Sequence, residues 1–284
     1  MRFFPATLPL GEELRAEILT RRGGIVVPDW LNTLAAIHIG LSLLAALAVL
    51  LDILLLGRRQ PMAVMEAVWP LTMLYWGPLG LVFYGWFGRT APRGRNAAAH
   101  QHHGGGHHAD GAGAMQHGAG GHRMGHGGQG ESRGPMWQAV FKGATHCGAG
   151  CALGDILAEG LAATMALTLF GSVLFGSVLF GRLGLAFLLA YLFGILFQYL
   201  AVAPMRGLGL WDGLVAAVKI DTLSLLAYQA GMFAAMALAA RALPGLEPAS
   251  WAYWLVMQGA MVLGFATTYP VNWWLIRRGI KERM

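Results

Sequence analysis

Charge is scarce in this sequence. Only 12% of its 284 residues are Asp, Glu, Lys or Arg, where soluble domains carry about a quarter. An ordinary globular protein is excluded, because 56% of the residues are hydrophobic and they gather in long blocks. Cysteine is scarcer still: two in the whole chain, which excludes a disulfide framework. No Gly-x-x-x-x-Gly-Lys-Ser/Thr stretch occurs, so no phosphate-binding loop of that kind powers the protein. Residues 1–29 lack the pattern of a signal peptide, since Glu12, Glu13, Arg15, Glu17, Arg21 and Arg22 break any apolar core.

What is present is apolar blocks that approach or exceed the roughly 20 residues a helix needs to cross a bilayer. The expected fold is all-α, a polytopic transmembrane bundle of six spans. These run about Leu31–Leu56, Met62–Phe87, Leu157–Phe180, Leu183–Ala203, Leu214–Ala240 and Trp251–Leu275. Pro70 and Pro78 should kink the second. The run "LFGSVLFGSVLFG" at 169–181 repeats every five residues, a period that matches neither helix nor strand.

Three regions follow. Residues 1–87 hold an N-terminal segment and two spans, 88–135 a hydrophilic insert, and 136–284 a four-span core. Lysine and arginine concentrate in the N-terminus, residues 88–142, the 204–213 loop and the C-terminus. The opposite loops hold Arg58, Arg59, Arg182 and Arg241. The positive-inside rule then puts both termini and the insert in the cytoplasm. The net charge of +6 reflects span ends, and no nucleic-acid partner is expected.

The insert carries His100, His102, His103, His107, His108, His117, His122 and His126, with Met115 and Met124 among them and glycine dominating the remainder. Such a composition builds no packed core. Imidazole suits zinc, nickel and copper, and the thioethers favour copper(I). The insert reads as a metal collector, against the plainer reading of a solvated linker.

Within the core, "ATHCGAGCALGD" at 144–155 holds both cysteines. On a helix Cys147, Cys151, Asp155 and Glu159 recur every four residues, so neighbouring members can share a ligand. With His146 they suit copper(I), or zinc with a carboxylate added. Gly143, Cys147, Gly150, Cys151 and Gly154 equally form a small-residue face for close helix packing, including packing of a second copy or a membrane-complex partner. A redox role is less suited, because the spacing is Cys-x3-Cys.

Asp221 sits in an apolar stretch two residues beyond Lys219, either as a polar station or as a local pair at a span entrance. Gln198 and Gln258 are mid-span amides suited to hydrogen bonds between helices. Met232 with Met236, and Met257 with Met261, are spaced to form a thioether track, or simply to fill gaps in the core. His38 reads as a hydrogen-bonded core histidine, and Glu66 and Asp52 as interfacial.

The strings "THCGAGCALGDI", "LFGILFQYLAVAPMRGLGL", "VKIDTLSLLAYQAGM" and "MQGAMVLGFATTYPVNWWLIRRGIKERM" resemble the bacterial membrane family known as domain of unknown function 4396, from Trp137 to Met284. The resemblance implies an integral membrane protein and brings no activity or site residue with it. The functional expectation therefore rests on the residues: a transition-metal transporter handling copper(I), or zinc, in the lipid bilayer. A membrane enzyme using metal or thiol chemistry, or a scaffold subunit of a larger membrane complex, are the alternatives.

Overall fold

The computed structural model describes residues 27–91, 134–164, 178–243 and 246–283. The expected all-α architecture is found: among the described residues there are helices and no strands. In chain order these are α1 (Asp29–Leu54), α2 (Met65–Trp76), α3 (Leu79–Phe83, continued by a π-helical turn over Tyr84–Gly88), α4 (Met136–Thr164), α5 (Val178–Arg206), α6 (Leu210–Ala242) and α7 (Trp251–Arg277). Three stretches, Asp29–Leu54, Leu183–Arg206 and Leu210–Ala242, are long and apolar enough to cross a membrane. Helices α4 and α7, of 29 and 27 residues, match them in length but are interrupted by polar side chains.

Helices α4 to α7 form an antiparallel bundle. A Cβ on Gly150 would lie 2.7 Å from the Gly194 Cα, and Gly154 faces the Ala190 backbone in the same way, so α4 and α5 touch backbone to backbone. Small residues permit that approach, and dispersion over the close contact favours it. Helix α6 follows α5 through a tight turn at Gly207, whose φ of 62° is one that glycine adopts without penalty. Thr268 Oγ1 donates to the Ser224 carbonyl at 2.8 Å, tying α7 to α6. The Ser250 hydroxyl caps α7 by accepting from the Tyr253 amide at 3.2 Å.

Helix α1 runs parallel to α7. Asn32 Oδ1 accepts from the Ala252 amide at 3.0 Å near the start of both, and His38 Nδ1 lies 3.1 Å from Gln258 Oε1 further along. The last residues of α1 therefore lie at the end of the bundle where α7 finishes, called here the tail end.

Residues 62–87, expected as one kinked span, instead form a hairpin. Gly77 takes φ 59° and ψ −148°, a region essentially reserved for glycine, and Pro78 follows. The chain reverses there. Trp69 of α2 packs edge-on against Tyr84 and Phe87, with ring centroids 5.4 and 6.1 Å apart, and Trp76 packs against Phe83 at 5.1 Å. Both ends of the hairpin return to the tail end. There Arg89 Nη2 meets Asp52 Oδ1 at 2.6 Å, and Arg58 Nη1 donates to the Thr90 carbonyl at 3.0 Å. Hydropathy measures the length of an apolar run and is blind to a reversal inside it.

Two expectations change accordingly. The first described residues of α1 lie at the end of the bundle opposite the C-terminal tail, not beside it. Arg58 and Arg59, expected opposite the other basic segments, share the tail end with them. A third change concerns the span expected at Leu157–Phe180. The described helix there is α4, Met136–Thr164, which begins well before Leu157 and buries "HCGAGC"; residues 165–177 lie outside the described residues. The five-residue repeat falls largely outside the described residues.

Candidate functional site

The polar residues of α4 point into the bundle. Cys147 and Cys151 are both reduced and fully buried. Cys147 Sγ lies 3.1 Å from Asp221 Oδ1 and 3.4 Å from Oδ2, donating across to α6. A third group joins them: Lys281 Nζ donates to Asp221 Oδ1 at 2.6 Å and lies 3.3 Å from Cys147 Sγ. The side chains of Lys281 and Asp221 are both 0% exposed.

Lys281 gets there because the chain folds back after α7. Gly279 at φ 68° ends the helix, and the amides of Ile280 and Lys281 return to the Leu275 carbonyl at 3.0 and 3.4 Å. Gly143 leaves room for the lysine stem: a Cβ there would already touch the Lys281 Cε at 3.7 Å. Arg206 Nε donates to Glu282 Oε1 at 2.6 Å and pins the tail to the end of α5. Burial alone would lower the Lys281 pKa. The adjoining Asp221 carboxylate, with Cys147, outweighs that and holds the ammonium above its ordinary value.

The triad sits in a wider polar seam. Asn272 Oδ1 accepts from Ser224 Oγ at 3.1 Å beside it. Gly148 admits the Tyr75 hydroxyl from the hairpin, since a Cβ would lie 2.6 Å from that oxygen. The Tyr228 hydroxyl and both amide atoms of Gln198 and of Gln229 are buried without a hydrogen-bond partner among the described residues. His146 feels the charges of Asp221 and Lys281, but its ring lies edge-on to Phe197 of α5, 6.1 Å between centroids. Among the described residues, no three His, Cys, Asp or Glu side chains converge as a metal-holding group. His146, Cys147 and Cys151 are thus close in sequence without forming one three-ligand cage.

Further from the tail end, Asp155 and Glu159 line a cavity of about 490 Å³ together with Met232, Met236 and Met257. Glu159 accepts from the Tyr253 hydroxyl at 2.8 Å. Met261 lies instead on a separate apolar cavity of about 200 Å³, with Met257 and Gln258. Gln258 spans α1, the hairpin and α7: its Nε2 donates to the Leu74 carbonyl at 2.6 Å, and Ser42 Oγ lies 3.3 Å away. The eight histidines of the insert lie outside the described residues.

Sequence reasoning missed Lys281, which reads as one more basic residue of a C-terminal tail. Asp221 was legible, but Lys219 beside it is not the partner. The only sequence signal was Gly279, a helix stop that frees the following residues to turn inward.

A helical bundle with apolar, membrane-length helices around a buried ionised seam is of the polytopic membrane class. The chain belongs to the family described as Domain of unknown function (DUF4396), whose model matches residues 136–281. That match covers α4 to α7 and ends on Lys281, so every member of the triad lies within it. No curated protein and no solved structure matches the chain.

Proposed function

We propose that the protein is an inner-membrane transporter of a soft transition-metal ion, copper(I) before zinc, and that Cys147 and Asp221 form its binding station. The observation carrying this reading is the Cys147 thiol held against both carboxylate oxygens of Asp221, with the Lys281 ammonium alongside, at the centre of the bundle. A thiolate selects soft ions, and a carboxylate adds charge. Full burial of both cysteines favours an ion over an organic substrate for thiol chemistry.

Charge balance favours a monovalent cargo. With the thiol protonated, Asp221 and Lys281 cancel. A monovalent ion that bonds to the sulfur displaces the thiol proton, so one positive charge enters the site as one leaves. The buried net charge stays at zero, which avoids the several kcal/mol an uncompensated interior charge costs. Each ion bound therefore releases one proton, and transport is coupled to the proton gradient through Cys147.

The reading extends to topology. Five helices, α1 and α4 to α7, cross the membrane, and the hairpin enters from the tail end and returns. Arg58, Arg59, Arg89, Arg206, Arg277 and Arg278 lie at that end, and Arg182 and Arg241 at the other, so the tail end faces the cytoplasm. The histidine insert, which begins and ends there, supplies ions to the station.

The test is metal content and proton release. Silver(I), a redox-stable analogue of copper(I), is titrated into weakly buffered full-length protein while pH is recorded. One proton per ion is expected, falling to none at this station in Cys147→Ser, together with altered copper accumulation in cells carrying that variant. Unchanged proton release and unchanged accumulation in Cys147→Ser would overturn the reading. Removal of residues 100–126 should lower binding capacity and leave the cysteine-dependent step intact.

A further inference from the structure

The cavity beyond the triad supports a second site with its own chemistry. Its carboxylates and thioethers come from three helices at helical spacing: Asp155 and Glu159 four apart on α4, Met232 and Met236 four apart on α6, and Met257 on α7. Asp155 is 1% exposed, and among the described residues neither of its carboxylate oxygens has a hydrogen-bond partner. A buried carboxylate without a donor is costly in an apolar bundle unless something supplies one. Glu159 is already engaged by the Tyr253 hydroxyl, and the exposed Arg241 also lines the cavity.

We infer that this cavity binds a soft monovalent cation, held by the Asp155 carboxylate and the thioethers of Met232, Met236 and Met257. Thioethers are neutral, so they select soft ions without adding charge, and sodium or magnesium gains little from them. Two carboxylates, Asp155 and Glu159, and one guanidinium, Arg241, line the cavity, so its fixed charge balances one monovalent ion. A divalent ion would leave an uncompensated positive charge in the bundle, which selects against zinc at this place. The site differs from the triad in having no thiol, and so takes up its ion without the thiol-proton exchange described above. Asp155 follows Cys147 by eight residues, which is about 12 Å along the helix axis, with Cys151 between them. The inference rests on the transport reading for its direction of flow, while binding itself stands apart from it.

The probe is silver(I), added to full-length protein purified without an affinity histidine tag, in the Cys147→Ser/Cys151→Ser background. Sulfur neighbours around the ion are read by X-ray absorption and affinity by competition. A silver ion with sulfur ligands is expected, although both thiols are gone. Its affinity should fall at least tenfold in Met232→Leu/Met236→Leu/Met257→Leu and similarly in Asp155→Asn, while zinc should not displace it. The leucine changes preserve volume, and Asp155→Asn keeps shape, so the second variant remains informative if the first fails to fold. Affinity unchanged in Asp155→Asn, sulfur signal unchanged in the methionine variant, or displacement by equimolar zinc would each overturn the inference. Loss of the transport phenotype in Cys147→Ser bears on the triad alone, so the two readings can fail separately.

Discussion

Lys281, from the segment after the last helix, places its ammonium 2.6 Å from Asp221 Oδ1 in the middle of α6, with both side chains sealed from solvent. A charge delivered by the chain terminus completes a site built by two other helices. Removing either partner strands the other.

Lys281→Met should therefore lower stability by about 3–5 kcal/mol, the usual cost of breaking a buried pair. Asp221→Asn alone should be comparably harmful. The double variant Asp221→Asn/Lys281→Met should recover most of the loss, because it leaves no uncompensated charge. Thermal unfolding in detergent of the four proteins checks this; equal loss in the double variant would contradict it.

The same pair sets an alkaline limit. The Lys281 pKa is raised in the folded protein, so its stabilising contribution is complete below the value of an unfolded lysine and is lost as pH climbs through the higher folded value. Compared with the double variant, the wild type should keep a constant advantage in melting temperature from pH 7 to about 10. That advantage should shrink only above it. A margin that already declines near neutrality would show that Lys281 is not the titrating group.

Glycines of α4 should divide sharply. Gly150→Ala places a Cβ against the Gly194 backbone at 2.7 Å, which a flexible side chain cannot relieve, and should cost roughly 1–3 kcal/mol. Gly160→Ala meets nothing within 4 Å among the described residues and should raise stability by about 0.5–1 kcal/mol through helix propensity. Melting temperatures in opposite directions are the expected result.

The hairpin gives a direct topological test. Cysteines introduced at Arg59 and Ala249, both exposed, lie at opposite ends of the bundle. In the Cys147→Ser/Cys151→Ser background, a membrane-impermeant maleimide should label Ala249→Cys in intact cells and Arg59→Cys only after the membrane is opened. Labelling of both in intact cells would exclude the hairpin.

Most helices were legible because length and apolar composition suffice for an uninterrupted run. The expected Leu183–Ala203, Leu214–Ala240 and Trp251–Leu275 lie within or close to α5, α6 and α7. The start of α4 at Met136, well before the expected Leu157, was illegible because its Gly, Ala, Thr and Cys residues are weakly hydrophobic, and their burial comes from smallness rather than apolarity. The hairpin was illegible because Gly77 and Pro78 read equally as a kink. Asp155, Glu159, Met232, Met236 and Met257 could be picked out by period and prove to share a cavity, whereas Met261 lines the separate apolar cavity that Met257 also borders. Lys281 escaped because nothing in a single sequence says that a tail turns inward.

The hairpin also settles a matter of parity. Four antiparallel helices begin and end on one face, so α4 to α7 form a unit that needs its chain delivered at the tail end. A crossing helix such as α1 starts on one face and finishes on the other; a segment that dips in and returns changes nothing. Placed in tandem they let α1 begin at the opposite end of the bundle while handing the chain to α4 at the end it requires. Had residues 62–87 run the length of the bundle instead, the same four helices would have been threaded upside down, with the Lys281 tail and the Glu282–Arg206 salt bridge at the opposite end.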